Sequence, residues 1–462
     1  MNSAKPVLWY QGLFLQPQHF QQFDLYVQSL LEPYAAYIAP HLWGVCELEV
    51  RRDDLKRLVF GLERGKCIFP DGTWTDIPGN ARVAARSFRK EEMEAGKPFR
   101  VYLGLRGWNR ARENVTVLPD TGELGEVGTR FVSPTGHEDL RDLHRTGPSA
   151  PVRLMEYVLR VFTEKEIEGL TEYSLIPIAE LEYDGTELAL TRNYVPPVVT
   201  VAASDSILQI IENIRERLTS HCNKLEEYKS PKEAQVSEFE PGYVIFLLAL
   251  RSLNRFVPAL CHLTEAPTVH PWCVYGLLRQ IIGELSTFSD RVNALGKLPD
   301  GTDLVPKYDH ANLLACFSEV QVLIGELLGS IIIGPERIIH LGREGGFFTS
   351  QLPVELFEGR HAYYLVLKSA EDRNRMLEVM QNIAKVSSVE YMRTLIGRAL
   401  PGIALEYSLI PPPGLPNRPN TFYFKLDQSH PQWTEIQKNQ SICFWWDHAP
   451  KDTKAEFVVL RK

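Results

Sequence analysis

Residues 174–225, SLIPIAELEYDGTELALTRNYVPPVVTVAASDSILQIIENIRERLTSHCNKL, change hydrophobic period midway, and that change decides the fold. The first half holds two alternating runs around Asp184-Gly185, a pair suited to the positive φ angles of a tight turn, and predicts a β-hairpin. Pro196 and Pro197 then stop the sheet. From Ser204 onward, Ile207, Ile210, Ile211, Ile214, Leu218, Cys222 and Leu225 recur at helical spacing. They predict one apolar stripe on a helix of about six turns, with Ser204 or Asp205 as N-cap. Such a stripe serves either a core or an oligomer seam. The core is the plainer reading, and Ile211 and Ile214 are the residues a seam would use.

Upstream, short β-type runs follow one another: 45–50, 57–63, 66–69, 82–88, 99–105, 115–118, 129–133 and 152–162. Turn residues separate several of them, a rhythm that predicts an all-β sandwich or barrel. Downstream, apolar helices are expected over about 242–263, kinked or divided by Pro258, then 271–295 and 310–333. With the first helix they suggest a four-helix antiparallel bundle. Gly334-Pro335 ends it. The remainder mixes strands (361–368, 420–427, 441–447, 455–460) with helices near 371–384 and 388–397, and PPPGLPNRP (411–419) reads as a stiff loop. The expected organisation is multidomain α+β: a β-sandwich domain over 1–198, a helical bundle over 199–334 and an α+β domain over 335–462.

The 462 residues carry a net charge of −8, which argues against a nucleic-acid footprint. Residues 336–462 hold 16 basic and 14 acidic side chains, so the acidity lies upstream. Seven dispersed cysteines without a C-x-x-C pair suit a reducing compartment. The amino terminus lacks the apolar core of a signal peptide. The longest apolar run, 243–250, is far short of the ~20 residues that span a bilayer. A cytoplasmic protein without a membrane span is expected.

Motifs for chemistry are sparse. There is no phosphate loop and no G-x-S-x-G elbow, and GREGG (342–346) reads as a turn. HEDLRDLH (137–144) offers His137 and His144, but on a helix they would sit about 10.5 Å apart. One zinc needs both nitrogens within ~2 Å of the metal, so a solvated polar loop is expected. His19 has aromatic neighbours and no matched nucleophile or carboxylate, and reads as a structural histidine. No cofactor or metal is expected. In SICFWWDH, Trp445 and Trp446 should point to opposite faces, one into the core and the other outward or into an interface. A hydrolase or transferase assembled from scattered residues around His19 or His137, and a carbohydrate binder like those of phage tails, are the competing readings.

Three stretches carry a resemblance. VLWYQGLFLQPQHFQQFDLY (7–26) is similar to the opening of the TssK family, also called ImpJ or VasE, at Val7, Trp9, Gly12, Phe14, Leu15, Pro17, Gln18, His19, Phe20 and Gln21. Tyr10-Gln11 departs from that pattern. IPIAELE…NYVPP (176–197) and FYFKLDQSHPQWTEIQKNQSICFWW (422–446), with Phe424, Leu426, Trp433, Ile436 and Ser441, resemble the family's middle and end. The resemblance implies a non-enzymatic homotrimer of the type VI secretion baseplate. It further implies a β domain like the shoulder of phage receptor-binding proteins that binds the wedge through TssF and TssG, and a helical neck. A carboxy-terminal head would bind the cytoplasmic parts of TssL and TssM, recruiting the protein to the inner membrane. Trp9, Phe14, Leu15 and Phe20 are then expected to be buried, in the β domain or against the wedge.

Overall fold

The computed structural model describes residues 4–119, 124–125, 127–226, 241–266, 268–331, 337–409, 411–412, 415 and 418–461. It forms two compact units: Met1–Glu216 with Phe256–Leu327, and Arg217–Arg255 with Leu328–Lys462.

The first unit opens on α1 (Pro17–Tyr37), β1 (Gly44–Val50), α2 (Arg52–Leu55), β2 (Val59–Phe60), β3 (Leu62–Ile68) and β4 (Trp74–Ile77). β5 (Ala81–Val83), β6 (Arg86–Ser87), β7 (Phe99–Arg106), β8 (Val115–Leu118), β9 (Phe131–Pro134), β10 (Glu138–Leu140) and β11 (Ala150–Val152) follow. β12 (Glu156–Thr163), β13 (Tyr173–Tyr183) and β14 (Leu188–Leu190) complete the strands of this unit. The main sheet runs β14-β13-β7-β12-β9-β8, with β5 also on β12, and a smaller antiparallel sheet runs β1-β3-β4. The hairpin predicted around Asp184-Gly185 is β13–β14, with Gly185 at φ +101°. Its turn is tied by Asp184 Oδ1, which accepts from the N–H of Thr186 and of Glu187. The run 57–63, expected as one strand, is two. β2 pairs with β6 while β3 pairs with β1 and β4, so the chain changes sheet at Gly61. A further departure is α1 itself, 21 helical residues in a region read mainly as strands.

α3 (Asp205–Glu226), α4 (Pro241–Glu265), α5 (Pro271–Leu285) and α6 (Leu313–Ser330) are the long central helices. Ser204 caps α3, its Oγ accepting from the Ile207 N–H at 3.4 Å. All seven stripe residues are buried, Ile211 and Ile214 at 0% exposure within a single chain. Their burial fits the core reading, since a side chain already enclosed offers little surface to a partner. α4 is one helix through Pro258. α5 stops at Leu285, ten residues before the predicted end, and a short 3-10 turn follows. α4 and α6 are long and apolar enough to cross a membrane by length and composition. Both nonetheless place residues such as Leu253, Leu260, Phe317 and Ile324 in the protein interior.

In the first unit a histidine tie joins the start of β1 to the helices. His310 Nε2–H donates to the Trp43 carbonyl at 2.8 Å, and His310 Nδ1 accepts from the Tyr308 hydroxyl at 2.9 Å. His270, the N-cap of α5, accepts from the Trp272 N–H at Nδ1 and donates from Nε2 to the His41 carbonyl at 3.0 Å. The rings stack, His41 on His310 at 5.2 Å and His270 on His310 at 5.4 Å. Each of the two bonded imidazoles uses one nitrogen as donor and the other as acceptor, which is the neutral form. Burial holds His310 down at about 4 and also lowers His270. Gly44 follows at φ +125°, and a Cβ there would lie 2.4 Å from the Pro197 carbonyl oxygen. No side chain fits that position.

The second unit takes the remaining parts of α3, α4 and α6. Cys222 of α3 donates to Asn254 Oδ1 of α4 at 3.1 Å. After α6 come β15 (Arg337–His340), β16 (Gly342–Glu344), β17 (Phe347–Gln351), β18 (His361–Lys368), α7 (Arg373–Asn382), β19 (Lys385–Ser387) and α8 (Val389–Gly397). β20 (Leu405–Ser408), β21 (Thr421–Leu426), α9 (Pro431–Asn439), β22 (Ser441–Trp445) and β23 (Lys454–Arg461) end the chain. The GREGG turn joins β16 to β17. Much of the predicted loop 411–419 lies outside the described residues. The five-stranded sheet β15-β23-β18-β21-β20 is covered on both faces. Tyr363, Leu365, Leu367 and Phe457 enter the main core with Trp433, while Tyr364, Val366 and Val458 join a second cluster. This explains the unbroken apolar run of β18, since alternation is needed only where one face is wet.

Two outcomes follow. Ile214→Ala should cost about 2–5 kcal/mol, read as a lower urea midpoint, and should leave the native oligomer mass unchanged by light scattering. A change of mass without loss of stability would restore the seam. His310 sets a pH dependence. Its folded pKa lies below the unfolded value near 6.5, so the unfolded chain binds the proton first. Its contribution is whole above about pH 6.5 and falls by up to about 3 kcal/mol as pH drops towards 4. Wild-type stability should therefore fall more steeply across that window than that of His310→Gln. Parallel curves would remove the imidazole from the account.

Candidate partner interface

The amino-terminal segment folds back on α1. Pro17 occupies its first turn, where a missing N–H costs nothing. His19 closes the helix start: its Nδ1 accepts from the Gln16 N–H at 3.1 Å, and its own N–H donates to the Gln16 carbonyl at 3.0 Å. Gly12, at φ +88°, turns the chain ahead of the helix. Gln22 Nε2 donates to the Lys5 carbonyl at 2.8 Å. Trp9 packs on His19 and Phe23, with ring centroids 6.4 and 6.5 Å apart. His19 is thus a capping residue, as the structural reading held.

The burial expected for the motif within the β domain does not occur. Trp9, Leu15 and Phe20 are about half exposed and Phe14 is 79% exposed. The segment instead packs against its own helix. Along α1 the exposure continues through Phe20, Phe23, Val27, Leu30, Tyr34 and Tyr37. These alternate at spacings of three and four, the a and d positions of a heptad, which is the pattern of a helix that pairs with other helices. Leu31 and Ile38 widen the stripe. The reading of the sequence passed over it, although the heptad stands plainly in 20–37. Exposed apolar surface on this scale marks an interaction site.

The other candidates fare differently. His137 precedes β10, which pairs with β11 in a small exposed ribbon, and its Nε2 lies 3.9 Å from Asp139. His144 sits in a turn closed by Asp142 Oδ1. The two are therefore not on one helix. Among the described residues no group of three or more His, Cys, Asp or Glu side chains is placed to hold a metal. In the second unit Trp446 is buried in the same core cluster as Leu341 and Phe348, the inward-facing member of the pair. Trp445 is half-buried at the end of β22, opposite Phe347 and Lys385. It stays available at the surface.

Comparison with known proteins agrees with the modular chain. The family described as "Bacterial Type VI secretion, VC_A0110, EvfL, ImpJ, VasE" matches residues 19–460. The type VI secretion system baseplate component TssK1 of Pseudomonas aeruginosa PAO1 is 27% identical over 454 residues, covering 96% of each chain. A solved chain of the baseplate complex from the type VI secretion system superposes with a TM-score of 0.62 at 22% identity, covering all of both chains. A crystal structure of TssK gives 0.60 at 20% identity, over 99% of this chain and 100% of that one. A chain of the TssK-TssF-TssG baseplate subcomplex gives 0.57 at 23% identity, over 71% and 99%. With its exposed amino-terminal arm, its two closed cores and a family match over nearly its whole length, the chain belongs to the TssK (ImpJ/VasE) family of type VI secretion baseplate components.

Proposed function

We propose that this chain is a non-enzymatic, trimeric connector, joining the baseplate wedge to the cytoplasmic side of the membrane complex. The carrying observation is the exposed heptad stripe of α1 beside the family's opening motif. Three copies of α1 would bury Phe20, Val27 and Tyr34 against one another, as a and d side chains do in coiled coils. Trimerisation thereby moves from the α3 stripe to α1.

The division into shoulder (1–198), neck (199–334) and head (335–462) assigns a partner to each end. The shoulder would meet TssF and TssG. A solved relative's presence in a TssK-TssF-TssG subcomplex supports TssF and TssG as partners. The head would meet TssL and TssM, and its buried clusters from Leu341 onward give it a core of its own. The protein would act in the cytoplasm, recruited to the inner membrane by the secretion complex.

Light scattering of the full chain should give about three times 52.6 kDa. Val27→Glu with Leu30→Lys should lower that to one chain while leaving the melting curve in place, because both side chains are exposed in the single chain. A trimer that survives both changes would place the seam elsewhere. A chain ending at residue 333 should keep TssF–TssG binding and lose the cytoplasmic domains of TssL and TssM. The reverse result would invert the proposed polarity.

A further inference from the structure

The amino-terminal arm, Ala4 to Trp43, is held at its root. Among the described residues of the arm none is buried, and Gly44 is the first that is. Among the same residues, two hydrogen bonds leave the arm, and its carbonyls accept both: His41 from His270 and Trp43 from His310. Ring contacts of His41 with Trp272 and Tyr308, and of Trp43 with His310, lie at the same place.

That root is strained. His41 sits at φ +61°, a left-handed conformation uncommon for any residue but glycine. Such a conformation persists only where its surroundings hold it. Here the hold is the bond from His270 to the His41 carbonyl and the stack of three imidazoles. His310 lies within 25° of the plane of His41 and 17° of the plane of His270.

The hold needs neutral rings. His270 Nδ1 receives the Trp272 N–H, and His310 Nδ1 receives the Tyr308 hydroxyl. A proton on His270 Nδ1 sets N–H against N–H and undoes the cap of α5. A proton on either ring also puts a charge beside a stacked imidazole, 5.2 or 5.4 Å away. The carboxylate that acts on His310 is Asp309, whose Oδ1 already accepts from the Ala311 N–H. Burial outweighs it and lowers both His310 and His270. Cys273 and Cys316 face Tyr308, and burial raises Tyr308 and Cys316, so those two stay neutral in acid. In an open form the two imidazoles regain water and titrate near 6.5. The open form therefore takes up protons first. Closure is whole above about pH 6.5 and weakens as pH falls towards 4.

We propose that His41–Gly44 is an acid-opened hinge: protons taken up by the imidazole cluster release the two carbonyls, and the arm with α1 comes away from a unit that stays folded. β1 keeps its bonds to β3 and to the Pro197–Val199 linker, none of which passes through an imidazole. The hinge acts whether α1 meets its own copies or another partner.

Hydrogen exchange of the full chain at about pH 7 and about pH 5, corrected for the chemical exchange rate, tests this. Peptides covering 38–44 should exchange about tenfold faster or more at the lower pH, while those covering β7 and β12 stay protected. His270→Gln with His310→Gln keeps an amide donor and acceptor at both positions and removes both titrating groups. Exchange at 38–44 in this double variant should be the same at the two pH values. Wild-type protection at 38–44 that persists at the lower pH overturns the hinge. Loss of protection there and in β7 and β12 together overturns it too, since that is unfolding of the whole unit. A double variant that opens over the wild-type range removes the imidazoles from the account. The wild-type comparison decides by itself should the double variant not fold.

Discussion

Much in the first unit depends on four residues, His41 to Gly44. They end the exposed helix and begin the first strand. The carbonyls of His41 and Trp43 are held by imidazoles 229 and 267 residues further along the chain. Gly44 then lets the strand pass against the Pro197 backbone, where a side chain would collide. A helix that packs poorly on its own unit needs such a root. Without it, α1 would be a free amphipathic peptide, and isolated helices of this length are marginal in water. The tie is made of neutral imidazoles enclosed among aromatic rings, so it is strong at neutral pH and exposed to acid.

The magnitudes clarify what α1 can do. Burying six large apolar side chains contributes about 1.5–3 kcal/mol each, on the order of 10 kcal/mol per chain. Association into an oligomer costs about 4–15 kcal/mol in lost freedom. The stripe is therefore of the right size to drive assembly with little surplus, and a stable trimer would need contacts from elsewhere in the chain. The Ile211–Ile214 stripe offers little for this, because it is already buried within its own chain. Two stripes with similar sequence signals thus serve opposite ends, and only their surroundings tell them apart.

What the sequence discloses follows the range of the interactions involved. The α3 stripe, its Ser204 cap, the Asp184-Gly185 turn and the strands of the last 100 residues rest on neighbours in sequence, and those expectations stand. The split of 57–63 between two sheets does not, because the choice between β6 and β1 is made by tertiary pairing. The histidine tie is invisible for the same reason: nothing near His270 or His310 points to residue 41. The α1 heptad is a different failure. Its spacing stands at 20, 23, 27, 30, 34 and 37, just ahead of a strand rhythm that begins at 44 and dominates the region. The arm's exposure lay beyond sequence in any case, since an apolar stripe reads alike whether covered by its own chain or by another.

The two surfaces of the first unit differ in a way that bears on the order of assembly. The α1 stripe is apolar and undirected. Left in water it would find other apolar surface, its own copies first, since they meet at the highest local concentration once one pair has formed. The β1 edge is directional, since an edge strand's backbone groups pair only with an extended backbone in register. An apolar helix face and a directional strand edge are compatible on one chain only if they do not compete. Here they are separated by the His41–Gly44 junction. The edge is held by β3 and by the Pro197–Val199 linker whether or not α1 has found its copies. Assembly through the helix, as proposed, would leave these β1 bonds in place.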